Sequence, residues 1–187
     1  MPHTTFETAL GPCAIAWNDD KITAFQLPDA NLPGAPSPPP EFVQKIIDRV
    51  RQHLQGELQD FRDIPVDLTG SGEFAQKVLA ATRAIPTGHT TTYAEMAKEL
   101  QSPGAARAVG QALGKNPIPL LIPCHRILAA GGKSGGFSAP GGVATKSRLL
   151  QLEGAATNTP IQFEPFIAPV SPPPTNAAIQ HPARRPP

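Results

Sequence analysis

Proline is distributed so unevenly along the chain that it limits which stretches can fold. Of 24 prolines in 187 residues, five lie within residues 33–40 and nine within residues 160–187. Proline fixes one backbone angle and lacks the N–H that helices and sheets use, so proline-rich runs favour linkers and disorder. We therefore expect a link at 33–40, a disordered tail over 156–187, and folded domains over 1–68 and 69–155.

The first part of the chain shows a small α+β pattern. Apolar and alternating runs over residues 6–17 and 22–27, joined by the turn-like Asn18-Asp19-Asp20, predict a hairpin. Residues 64–68 are expected to return to the sheet. An amphipathic helix is predicted over 41–55, because apolar residues recur there at helical spacing: Phe42, Ile46, Ile47, Val50 and Leu54.

From Thr69 onward the pattern is mainly helical. One apolar stripe ends at Pro86-Thr87-Gly88, and its members are Phe74, Val78, Ala81 and Ile85. Thr92 to Glu95 fits a capping box, which predicts a helix to about Leu100. Ser102-Pro103 then predicts a second helix to about Leu113, and the two short helices form a helix-turn-helix candidate. A final helix is predicted over 142–153.

The second of these short helices has an almost bare surface. Its only long charged side chain is Arg107, among small or apolar residues: Gly104, Ala105, Ala106, Ala108, Val109, Gly110 and Ala112. A thin helix allows another backbone to approach closely. Close packing inside the protein and docking to DNA both fit this pattern.

Charge and cysteine content narrow the class of protein. The net charge of +1 combines −5 over residues 1–70, from five Lys/Arg and ten Asp/Glu, with +6 over residues 71–187, from eleven and five. The second part is therefore the expected nucleic-acid face, although solvated charged faces are also common. With two cysteines, no apolar run long enough to span a membrane and no signal peptide, we expect a cytoplasmic protein.

Cys124-His125 is the pair with the clearest potential for chemistry. The thiolate form of cysteine is the nucleophile, and a neighbouring imidazole can remove the proton. The preceding Leu120, Leu121 and Ile122 are apolar, and burial would raise the pKa of the thiol. A reactive nucleophile and an inert buried cysteine are both open on this pattern, whereas Cys13 is most simply a small buried residue.

The surrounding residues resemble a known family. Ile122-Pro123-Cys124-His125-Arg126-Ile127 resembles the active-site signature of the O6-alkylguanine-DNA alkyltransferases, which repair alkylated guanine by moving the alkyl group onto their own cysteine. Further matches, in order and spacing, cover about residues 70–155: Tyr93, Arg107-Ala108-Val109-Gly110, Asn116-Pro117, Gly135-Gly136-Phe137-Ser138 and Leu149-Leu150-Gln151-Leu152-Glu153-Gly154. The resemblance implies a small N-terminal α/β, ribonuclease H-like domain followed by a mainly helical domain.

The same resemblance implies a set of catalytic roles. Cys124 is the acceptor, His125 the base acting through a water, and Glu153 the carboxylate that orients the imidazole. Tyr93 donates towards the purine and helps turn the nucleotide outward. No cofactor is implied. Some members of the family carry a zinc site in the N-terminal region, but no Cys/His cluster that could supply four ligands is found there in this sequence, so no metal is expected.

For DNA, the resemblance implies a double-stranded partner carrying O6-alkylguanine, with O4-alkylthymine as a second substrate, bound by a monomer. The helix containing Ala106 and Gly110 enters the minor groove, and Arg107 fills the space left by the flipped nucleotide. Asn116 ties this helix to the active-site strand. The glycine-rich loop over 129–142 contributes to the base pocket, whose implied members are Leu113, Ile127, Phe137 and Ser138.

Two other functions remain open on the residues alone. One is a non-catalytic helix-turn-helix protein that binds lesions or regulates genes, against which the presence of Cys124 argues. The other is a Cys-His-Glu hydrolase. Hydrolysis restores the cysteine after each cycle, whereas a thioether does not reverse, so stoichiometry separates the two chemistries.

Overall fold

The computed structural model describes residues 1–28 and 35–155. The predicted tail and the first part of the predicted proline-rich link lie outside these residues. The described chain combines two small sheets with five α-helices, and is a mixed α/β fold.

An antiparallel sheet of three strands opens the chain, in the order β1 (His3–Thr8), β2 (Gly11–Asn18) and β3 (Lys21–Gln26). The single strand predicted over 6–17 is wrong, because a tight turn divides it. Gly11 adopts φ +115°, and the Thr8 hydroxyl donates to the Gly11 carbonyl at 2.6 Å. The predicted turn after β2 is confirmed.

Helix α1 (Glu41–Leu54) packs its apolar face against this sheet and matches the prediction for 41–55 closely. The predicted return of residues 64–68 is also confirmed, because Val66 forms a parallel bridge with Ile22. The Ile22 N–H donates to the Pro65 carbonyl at 2.9 Å, and the Asp67 N–H donates to the Ile22 carbonyl at 2.8 Å.

The second part of the chain contains α2 (Glu73–Ala84), α3 (Tyr93–Glu99), α4 (Ala106–Gly114) and α5 (Gly142–Leu152). Two-residue strands β4 (Thr91–Thr92) and β5 (Ile127–Leu128) pair in parallel. The capping box is confirmed: the Thr92 hydroxyl accepts the Glu95 N–H at 3.1 Å, and Glu95 Oε2 accepts the Thr92 N–H at 2.9 Å.

Helix α4 begins later than predicted from Ser102-Pro103. Residues 102–105 form a turn, closed by the Ala105 N–H donating to the Ser102 carbonyl at 2.8 Å. Proline followed by glycine at the centre of four residues favours such a turn over a first helical turn. The helix therefore starts at Ala106, directly before Arg107.

One continuous apolar core connects both parts of the chain, from the sheet and α1 to α2, α4 and the segment that leads to Cys124. Backbone contacts also cross between them, because the Phe25 N–H of β3 donates to the Pro117 carbonyl at 3.0 Å. Within the described residues, no helix has the length and apolar character needed to cross a membrane.

Candidate active site

Cys124 lies in a short 3-10 helix, Cys124–Arg126, and not on the strand expected for it. The approach to it is buried from Ile118 onward, and Leu120 adopts φ +75°, which is uncommon for a residue with a side chain. Asn116 braces this bend: its Nδ2 donates to the Ile122 carbonyl at 2.9 Å, and its Oδ1 accepts the Ile118 N–H at 3.1 Å.

The pairing of β4 with β5 places the start of α3 beside the cysteine, because β4 leads directly into Tyr93 and β5 directly follows Arg126. Cys124 borders a cavity of about 320 Å³, whose walls come from α3, α4 and the glycine-rich loop. The lining residues are Tyr93, Gly110, Leu113, Gly114, Cys124, Gly136, Phe137 and Ser138. Three glycines among them leave room for a flat ligand.

Cys124 is 7% exposed as a residue, and burial raises the pKa of its thiol. The Asn116 side chain, the Lys146 charge and nearby backbone groups act in the opposite direction. Within the described part of the chain, its sulfur makes no direct hydrogen bond to the His125 ring. The thiol is therefore protonated at rest and needs a base during the reaction.

His125 and Glu153 form a fully buried pair. His125 Nε2 lies 3.1 Å from Glu153 Oε1, and His125 Nδ1 has no hydrogen-bond partner among the described residues. Burial lowers the pKa of His125, although Glu153 partly offsets this effect. The imidazole is therefore neutral at rest, with its proton on Nε2 and a free lone pair on Nδ1 that can accept a proton.

Arg126 fixes the carboxylate of Glu153 with two hydrogen bonds. Its Nε donates to Oε2 at 2.8 Å and its Nη2 donates to Oε1 at 2.7 Å, while Nη1 donates to the Ile85 carbonyl at 2.6 Å. Burial alone would raise the pKa of Glu153, but hydrogen bonds from His125 and Arg126, together with the nearby His53 ring, hold it well below its usual range. Glu153 is thus a fixed anion that can stabilise an imidazolium.

Comparison with known proteins shows which family this chain belongs to. A family model described as 6-O-methylguanine DNA methyltransferase, DNA binding domain, matches residues 73–155. Methylated-DNA–protein-cysteine methyltransferase of Mycobacterium bovis is 36% identical over 154 residues, which cover 81% of this chain and 91% of that protein. The chain belongs to this methyltransferase family. The enzyme of the same name from Methanothermobacter thermautotrophicus is 38% identical over 143 residues, covering 76% and 79% of the two chains.

Solved structures of family members agree over most of the fold. The crystal structure of Mycobacterium tuberculosis OGT in complex with DNA has a TM-score of 0.73 and 34% identity, covering 84% of this chain and 97% of that one. An O6-methylguanine-DNA methyltransferase from Pyrococcus kodakaraensis has a TM-score of 0.66 at 21% identity, which supports the fold alone.

Half of the twelve predicted site residues of this methyltransferase line the cavity. Tyr93, Leu113, Cys124, Phe137 and Ser138 line it, and Gly110 faces the Tyr93 ring, from which an added Cβ would lie 3.8 Å away. Arg107 is exposed on α4, and Ala106 is half-buried at its start.

One predicted pocket residue is placed elsewhere. Ile127, expected in the pocket, is fully buried in β5 opposite Thr91 and does not line the cavity. Its side chain supports the Cys124 segment from within the core.

Lys146 is a residue of the site that the sequence prediction missed. It is fully buried in α5, its Nζ donates to the Ile127 carbonyl at 2.5 Å, and Nζ lies 5.9 Å from the centre of the Tyr93 ring. Burial lowers its pKa to about 8. Its spacing was the available signal, because it lies three and four residues before the buried Leu149 and Leu150, on their face of the helix.

Proposed function

We propose that this protein repairs DNA by transferring the alkyl group of O6-alkylguanine to Cys124, once per molecule and without a cofactor. The observation that carries this proposal is a buried cysteine at the wall of a glycine-lined cavity, beside the buried His125–Glu153 pair. The family members named above are methylated-DNA–protein-cysteine methyltransferases, and their name describes the same reaction.

The reaction breaks the S–H bond of Cys124 and the C–O6 bond of the substrate, and forms a C–S bond and an N–H bond on His125. Cys124 Sγ attacks the alkyl carbon, a C–S bond forms, and the C–O6 bond breaks with its electrons remaining on guanine. The thiol proton passes through a water to His125 Nδ1, and Glu153 stabilises the resulting imidazolium. Tyr93 donates towards the purine, which gains negative charge as it leaves. The thioether product has no route back to the thiol.

We propose that α3 and α4 act as a helix-turn-helix unit that binds DNA through α4. Ala106 and Gly110 leave the helix thin enough to enter the minor groove, and the exposed Arg107 fills the position of the extruded nucleotide. Flipping is required because the alkyl carbon inside the base stack is out of reach of a buried cysteine. Asn116 keeps α4 and the Cys124 segment in register. DNA bound to Mycobacterium tuberculosis OGT supports this choice of partner.

We also propose the domain division 1–68 and 69–155, with a ribonuclease H-like arrangement in the first domain. Its support is the three-stranded sheet followed by α1 and the bridge at Val66. A cytoplasmic monomer fits the two free cysteines, Cys13 and Cys124, of which the reaction requires the second to be reduced.

Intact mass spectrometry after exposure to a duplex with one O6-methylguanine tests the reaction, the acceptor and the stoichiometry together. We expect one added methyl group, mapped to Cys124 and absent from Cys13, with product saturating at one equivalent. Cys13 serves as an internal control, because burial raises the pKa of its thiol to about 11 and it lies in β2.

The same measurement separates the competing functions. Repeated turnover would indicate a cysteine hydrolase, and lesion binding without added mass would indicate a non-catalytic binder. Undiminished methyl transfer by Cys124→Ala would place the acceptor elsewhere.

A further inference from the structure

A second histidine, His53 of α1, reaches the same carboxylate as His125 from the other part of the chain. His53 Nε2 lies 3.2 Å from Glu153 Oε1, and both side chains are fully buried. The His53 ring packs against Phe61 with the ring centres 5.1 Å apart, which restrains its rotation. The carboxylate therefore contacts a fixed imidazole on a helix that contributes nothing else to the chemistry.

The tautomer of His53 follows from its backbone contact. The Gln59 N–H donates to His53 Nδ1 at 3.0 Å, so this nitrogen holds a lone pair. A neutral imidazole carries its single proton on the other nitrogen. The Nε2–H of His53 therefore faces Glu153.

The contact is electrostatic and off the ideal hydrogen-bond line. Glu153 Oε1 already lies 3.1 Å from His125 Nε2 and 2.7 Å from Arg126 Nη2. A carboxylate oxygen has two lone pairs, so a third donor must approach from another direction. Accordingly, His53 Nε2 makes no well-aligned hydrogen bond within the described residues, although its N–H dipole acts on the anion where little water screens it.

We infer that His53 is a positioning residue for alkyl transfer, which holds Glu153 Oε1 and limits how strongly this carboxylate supports the His125 cation. The inference rests on the proposed function, because it assigns His53 an effect on the base of that reaction. It also gives the N-terminal part of the chain a role at the active site.

The other charged groups around the carboxylate keep their places when His53 is changed. Arg126 holds both oxygens of Glu153, and Asp60, which lies near enough to feel the Arg126 charge, is itself bound by Arg62. Burial is the main cause of the lowered pKa of His125, and the nearby His53 acts in the same direction. Without the N–H of His53, more of the negative charge of Glu153 is available to His125, so His125 keeps its proton to a higher pH.

The test follows the single-turnover rate with free O6-benzylguanine between about pH 5 and pH 8, where histidine titrates. His53→Phe keeps a ring against Phe61 but removes both nitrogens. The rate should fall at low pH as His125 becomes protonated, and in this variant the fall, the acid limb of the profile, should move to a higher pH by about half to one pH unit. His53→Gln offers an amide N–H near the position of Nε2 and should restore the limb. Leu54→Ala, which changes the buried apolar residue next to His53 on α1 and removes no polar group, is the matched control.

An unshifted acid limb in folded His53→Phe, or an equal shift in Leu54→Ala, would overturn the inference. Nitrogen-15 NMR of the histidines in the unmodified protein tests it without any requirement that His53→Phe folds. We expect the Nε2–H tautomer at His53, with a proton resonance that moves in Glu153→Gln, and an Nδ1–H tautomer would contradict the inference. Failure of the unmodified protein to react at all would contradict the proposed function instead.

Discussion

At the scale of single residues, Cys124 must be buried to line its pocket and must also lose its proton to react. Burial opposes the second requirement, because it raises the pKa of the thiol. The structure gives the proton a destination in His125 Nδ1, while Glu153 fixes the opposite nitrogen. We expect His125→Ala or Glu153→Gln to slow methyl transfer by about 10²–10⁴ each, the usual size of a general-base effect. Because the two residues act as a unit, the double variant should lose much less than the product of the single losses.

Single-turnover methyl transfer supplies this measurement, with circular dichroism to verify that each variant is folded. His89→Ala, which removes an exposed histidine at the end of the loop before β4, is the control and should react normally. Fully multiplicative losses in folded proteins would mean that Glu153 acts independently of His125. In that case its contacts with Arg126 would be its main contribution.

At the scale of secondary-structure elements, α4 carries mostly small side chains, and Arg107 is its exposed positive charge. Arg107→Ala should slow repair of O6-methylguanine in duplex DNA by at least about tenfold, because only the duplex requires a stabilised flipped state. Reaction with free O6-benzylguanine should change little. Lys45→Ala on α1 removes an exposed positive charge, paired with Glu41, away from α4 and should affect neither rate. Equal losses on both substrates would instead assign Arg107 to folding or chemistry.

Elements with a regular pattern could be predicted from the sequence, and those that depend on distant packing could not. The apolar spacing in α1 and the capping box at Thr92 predicted their helices because both are local signals. For the segment that leads to Cys124, the family resemblance implied a strand. It instead bends at Leu120 into a 3-10 helix, held by Asn116 from outside the run.

Cys124 and His125, the proposed nucleophile and base, could be predicted because they lie within a recognisable motif. The residues that surround them depend on the fold of the whole molecule. The spacing of Lys146 indicates that it lies on the buried face of α5, but no local signal indicates that His53 or Lys146 lies near Cys124. An ionisable side chain in an apolar stripe is usually assigned to the surface. Only the folded chain brings His53 of α1 and the Cys124 segment, through His125 and Arg126, to the carboxylate of Glu153 at the end of α5.

At the scale of the whole molecule, Glu153 is a buried junction between the two parts of the chain, so the acid stability of the protein should depend on it. Its pKa in the fold is well below the ordinary value of 4.5, and that of His125 is below 6.5. Groups with lowered pKa values stabilise the fold above their ordinary pKa and lose this contribution as pH falls. The free energy of unfolding should therefore decrease first below about pH 6.5 and further below about pH 4.5.

Urea unfolding of the unmodified protein and of Glu153→Gln from neutral to acidic pH measures the contribution of this junction. Near pH 7 the variant should be less stable by about 3–5 kcal/mol, because it leaves Arg126 buried without its anion. The difference should persist down to about pH 4.5 and narrow below it, because the unfolded state of the unmodified protein then takes up a proton at Glu153 that the fold does not. Glu73→Gln, which breaks an exposed pair with Lys77, should show little change at any pH. A difference that did not depend on pH would mean that the carboxylate contributes through packing and not through its charge.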